Sequence, residues 1–128
     1  MTVWSNELEV AIRQALAGIQ PMEQNREHLG RPFVTAYQLA IRVRALMPGL
    51  DMPVGGEGIG TQRTLTRYLA TELSRRIRSE GDDCFVEGAQ LSSAEVAVMS
   101  FRNPDGGDPI RNSNLVPRYD TTMFRLRG

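Results

Sequence analysis

A chain of 128 residues, 41% hydrophobic and with a single cysteine, is long enough to bury a core without disulfides or a metal. Fifteen basic residues balance fifteen acidic ones, so the molecule as a whole has no electrostatic bias toward polyanions. No apolar run approaches the roughly 18 residues of a membrane helix, and neither a leader-like start nor a possible internal disulfide is present; the expectation is one domain over 1–128, cytoplasmic, with no membrane partner.

The first predicted element is a helix in which Leu8, Ala11, Ile12, Ala15, Leu16 and Ile19 recur on one face. Ser5 is placed to cap it, Glu7 and Glu9 suit the dipole of its first turn, and Gly18 to Pro21 ends it. A polar stretch over 22–30 follows, and Arg31-Pro32-Phe33-Val34 reads as a short extended piece, because proline disfavours helix in its neighbour.

Thr35 caps a second helix, Ala36 to Met47, stopped by Pro48-Gly49. Apolar side chains cover most of its circumference and leave mainly Gln38 and Arg42 outside, which makes it the central core helix. Residues 48–60 then form a thirteen-residue connection rich in glycine. A third helix, from about Gln62 to Ile77 with Thr61 as cap, carries Leu65, Leu69, Leu73 and Ile77 at every fourth position. Arg63, Thr64, Arg67, Thr71, Ser74 and Arg78 fall on the opposite face of the same wheel.

Beyond Ser79 the residue preferences become those of strands: Cys84–Leu91, Glu95–Phe101 and Thr121–Arg127 are rich in β-branched and aromatic residues. Between them, Asn103-Pro-Asp-Gly-Gly-Asp-Pro109 is a turn. The predicted class is α+β: three N-terminal helices over 1–79 packed on a small antiparallel sheet drawn from 80–128.

The zero net charge conceals segregation. Residues 61–78 carry five arginines against Glu72, a net of +4, whereas 79–110 carry seven acids against Arg102, a net of −6. All fifteen basic residues are arginine, the side chain whose forked donors suit carboxylate and phosphate. Thr, Ser and Arg on one helical face are the groups that contact phosphates and base edges in a major groove. With the order helix, extended piece, Thr-capped helix, arginine-bearing helix and turn-tipped hairpin, the chain resembles a winged helix-turn-helix domain. The resemblance implies DNA as partner, the third helix as the groove-reading element, and Arg102 and Arg111 of the hairpin as backbone contacts.

Other readings stay open. Gly55 and Gly60 have the spacing of a phosphate loop, but Thr61 and Gln62 stand where it needs lysine and a hydroxyl, and no strand precedes it. The amides of Gly58, Gly60 and Thr61 remain a site for an anion or a nucleic-acid phosphate. A protein-interaction or homo-oligomeric module is the rival class, with the opposed charge segments and Met1, Val3 and Trp4 as contact groups. His28 is the only histidine and Cys84 the only cysteine, so no histidine-based zinc set is available. Cys84 reads as a small core residue at the start of a strand and His28 as an exposed residue of the polar linker, and the expectation is a non-enzymatic protein without a cofactor.

Overall fold

The computed structural model describes residues 4–22, 28–54, 64–92, 94, 98–103, 106–113 and 121–127. Helix α1 spans Asn6–Ala17, with Ser5 extended and its hydroxyl accepting from the Leu8 amide. Strand β1 is the pair Val34–Thr35, and helix α2, Ala36–Leu46, begins at the next residue. Thr35 makes that junction sharp. Its hydroxyl accepts from Gln38 N at 3.2 Å, while Gln38 Oε1 accepts from Thr35 N at 2.7 Å, a reciprocal cap.

Helix α3 runs over Leu65–Glu80, and a single turn of 3-10 helix, Gly81–Asp83, leads into β2, Val86–Leu91. Strands β3, Val98–Phe101, and β4, Ile110–Ser113, form a hairpin, and β5 is Thr121–Leu126. The fold is α+β, as composition and periodicity predict.

The sheet departs from expectation in its membership. Among the described residues, instead of one C-terminal sheet there is a three-stranded antiparallel sheet of order β1-β5-β2 and a separate β3-β4 ribbon. Val34 pairs with Phe124 and Gly88 faces Phe124 from the other side, so β5 is central and the extended piece of the helical half closes one edge. Phe124 is fully buried there. α2 packs against both α1 and α3, α3 packs on β2, and α1 and α2 both reach β5. Leu8, Ile12, Leu16, Leu39, Val43, Leu65, Leu69, Leu73 and Val86 fill the space between, each burial contributing about 1.5–3 kcal/mol. Gly88 permits close approach of helix and sheet, since a Cβ there would stand 2.9 Å from the Ile77 side chain.

Two helix boundaries and two side chains also differ. α3 is capped by Thr64, not Thr61: the Thr64 hydroxyl accepts from Arg67 N at 3.2 Å. Leu65 N and Thr66 N find the carbonyls of Pro53 and Val54 at 2.7 and 3.1 Å, so the helix starts where those partners lie. It continues to Glu80 because Gly81, at φ 59 and ψ −128, is the first residue to leave helical space. Leu46, placed with the apolar face, is exposed. Trp4, expected as a partner contact, packs at the edge of the molecule's own core.

Candidate functional site

The arginine helix has two unlike sides. On one flank, Glu72 collects its neighbours: the Arg75 guanidinium donates to it, and Arg76 Nε donates at 3.1 Å. Arg76 also lies 4.0 Å from Glu80 and over the Trp4 ring, 3.7 Å from its centroid. These are i,i+3 and i,i+4 pairs, which helical geometry brings together. The hydrogen bond from Arg75 holds the Glu72 carboxyl below its ordinary value against the opposing effect of partial burial, with the charges of Arg75 and Arg76 adding to the lowering. Arg75 is correspondingly raised by the same bond.

The other side carries Arg67, Thr71, Ser74 and Arg78, all exposed. Among the described residues neither the Arg67 nor the Arg78 guanidinium makes an ion pair. Eleven residues separate the two arginines, about 16 Å along the helix axis, with the two hydroxyls between them. Four of the predicted face residues are therefore brought into one row. Thr64 is not in it: it is buried and spends its hydroxyl on the cap. Arg63 lies outside the described residues.

The start of α3 is fully occupied by the protein itself. Leu65, Thr66 and Arg67 amides all have intramolecular acceptors, and the Thr66 hydroxyl donates to Val54 O at 2.6 Å. A helix N-terminus attracts anions through unsatisfied amides, and the amides of this first turn are already satisfied. Gly58, Gly60 and Thr61 lie outside the described residues. Arg44 donates to Met52 O, so α2, the segment 52–54 and the first turn of α3 are tied together.

The hairpin stands elsewhere than α3. Phe101, nearly buried, stacks on Tyr37 of α2 with ring centroids 5.4 Å apart and planes 14° from parallel. Ser100 pairs in register with Arg111, and Gly106 and Gly107, at φ 82 and 85, turn the tip. Arg111 belongs to β4, and its side chain lies outside the described residues. Arg102 is exposed just beyond β3 and borders a groove of about 400 Å³ against α2, facing Gln38, Ile41 and Arg42. Periodicity identifies Gln38 and Arg42 as the outward positions of α2 but has no means of setting Arg102 opposite them.

A larger depression, about 630 Å³, lies among Met22, Leu29, Phe33 and Arg125. Its two guanidinium groups are already committed: Arg31 donates to Ala17 O at 3.0 Å, and Arg125 bonds Glu87 at 2.6 Å and Leu29 O at 2.9 Å and covers the Phe33 ring. Among the described residues no group of three His, Cys, Asp or Glu is arranged to hold a metal ion. No helix among them is long and apolar enough to cross a membrane. Comparison with protein-family models, with curated proteins and with solved structures finds no match.

Proposed function

We propose that this is a non-enzymatic, cytoplasmic macromolecule-binding domain of winged helix-turn-helix type, and that it binds DNA through the outward face of α3. The observation that carries the reading is the row Arg67, Thr71, Ser74 and Arg78, exposed and without intramolecular ion pairs among the described residues, on a helix whose remaining described arginines are self-paired. The topology supports it: an extended segment between the first two helices pairs with β5, which in turn pairs with β2, giving the order β1-β5-β2.

A helix-turn-helix joins its helices through about 3–4 residues, whereas 47–64 separate α2 from α3 here. The hydrogen bonds of Leu65 and Thr66 to Pro53 and Val54 narrow the difference, because they bring the chain at 54 back to the start of α3. The described part of the connection is the path 47–54, eight residues, whose end is tied to the start of α3. Arg102 and Arg111 remain backbone contacts in this reading.

The test is binding of a mixed-sequence duplex, measured by fluorescence anisotropy over a salt series. With Arg67→Ala and Arg78→Ala combined, affinity falls about 100-fold and the slope against salt drops by about two, one for each phosphate that the protein no longer neutralises. Unchanged affinity in a folded variant would refute the assignment. The opposed charges of 61–78 and 79–110 support a second reading, a protein partner or a second copy. Sedimentation decides whether copies associate, and a concentration-independent monomer removes self-association.

A further inference from the structure

The DNA reading uses only Arg102 of the groove between α2 and the hairpin. Its apolar side is Ile41 and Phe101, and the stack of Phe101 on Tyr37 fixes that wall. Its polar side is Gln38, Arg42, Ser100 and Arg102. The Gln38 carbonyl oxygen already accepts from the Thr35 amide, which leaves both hydrogens of its NH2 as donors for a ligand. Arg42 and Arg102 are exposed and make no ion pair with a described carboxylate. Arg42 reaches toward the last turn of α1, with Nη1 3.7 Å from where a Cβ on Gly18 would stand. There the helix's terminal carbonyls favour a cation.

Small-molecule sites of about 300–1,000 Å³ combine apolar walls with a few convergent polar groups, and this groove meets both conditions at about 400 Å³. Its polar groups are almost all donors, two of them cationic, which excludes a cationic ligand and favours an acceptor-only anion. The apolar wall is of no use to an inorganic ion. We infer that the groove binds a small amphipathic carboxylate, its acid group toward Arg42 and Arg102 and its aromatic or short alkyl body against Ile41 and Phe101. This binding is independent of the DNA reading and would stand if that reading failed.

The experiment titrates 4-phenylbutyrate, its neutral amide and inorganic phosphate into the whole protein and follows backbone amide shifts by NMR. The carboxylate is expected to saturate with shifts centred on residues 38–42 and 100–102, and the amide to bind at least about tenfold more weakly, for want of one charge-assisted pair. Arg42→Gln is expected to reduce the discrimination between acid and amide, Arg102 still supplying one cation, while DNA affinity stays unchanged, since Arg42 is not on the α3 face; Arg102 is left intact because both readings use it. Arg42→Lys, which keeps the charge but not the fork, is expected to be intermediate. Equal binding of acid and amide overturns the inference. So do phosphate binding as tight as that of the carboxylate, shifts confined to residues 21–33, and an Arg42→Gln variant that discriminates as strongly as the unmodified protein.

Discussion

The two sides of α3 carry similar residues and differ in what those residues are free to do. Arg75 and Arg76 stand three and four positions after Glu72 and are neutralised within the helix. Arg67 and Arg78 have no acid at those spacings inside the helix. Asp82 lies four residues beyond Arg78, but the chain has already left helical geometry at Gly81, so it does not lie above the arginine as a fifth turn would place it. The net charge of a segment is therefore a poor measure of available charge. What counts is whether an acid sits at the helical neighbour positions and whether the helix persists long enough to make them neighbours.

That contrast is broken most severely by removing what holds both sides in register. Leu73 is fully buried between the helices and the sheet, and Leu73→Ala should cost about 3 kcal/mol in denaturant unfolding, transfer and cavity terms together. A loss below about 1 kcal/mol would mean that α3 is not anchored as described. Gly81→Ala comes next, at about 2 kcal/mol. No atom lies within 4 Å of the added Cβ, so the whole effect is backbone strain at φ 59 and ψ −128, outside the left-handed helical well, and should appear equally in any β-carbon-bearing replacement.

Much of this frame was legible in the chain. Ser5 and Thr35 were identifiable as caps because each precedes an apolar periodic run, and the fourfold leucine spacing of α3 left no alternative helical face. The misplaced start of α3 has a physical cause: Thr61 and Thr64 are equally good capping residues locally, and the choice is made by the carbonyls of Pro53 and Val54. Of β1, Val34–Thr35, the sequence shows only a short extended piece, Arg31 to Val34. Its pairing with β5 joins residues far apart in the sequence, which no local pattern records. The groove was half legible, through Gln38 and Arg42 on α2, while its other wall depends on Phe101 finding Tyr37. Glu72 was readable in principle, since i,i+3 and i,i+4 spacing alone predicts its pairs, yet counted as one acid among five arginines it gives no hint that it silences two of them.

The contrast is sharpened by matched single substitutions on the two sides. Arg67→Ala should weaken duplex binding about tenfold, or about 1.4 kcal/mol, with little effect on stability because the side chain is exposed. Arg75→Ala, equally exposed but paired with Glu72, should change binding by less than about threefold at the same salt. Equal losses at both positions would mean that binding follows the charge of the whole helix and not one face.

The smallest effect concerns Glu72 itself. Its carboxyl is held below the ordinary value of 4.5 in the folded protein, first by the Arg75 hydrogen bond, so the ionised form is favoured by folding. The associated stability is fully present above about pH 4.5 and is lost as pH falls through the lower folded value. Glu72→Gln should therefore cost less than about 1 kcal/mol near neutrality, and the gap between the two proteins should close in acid, where the native carboxylate is protonated as well. A gap that stays constant or widens on acidification would contradict the pairing. The same variant tests the α3 surface from the opposite direction, since it unmasks Arg75 and Arg76 without adding a residue. If the docking surface is confined to the Arg67–Arg78 row, duplex affinity should rise by no more than about threefold and the salt slope should stay near its original value. A slope steeper by about two would extend the contact surface onto the Glu72 flank.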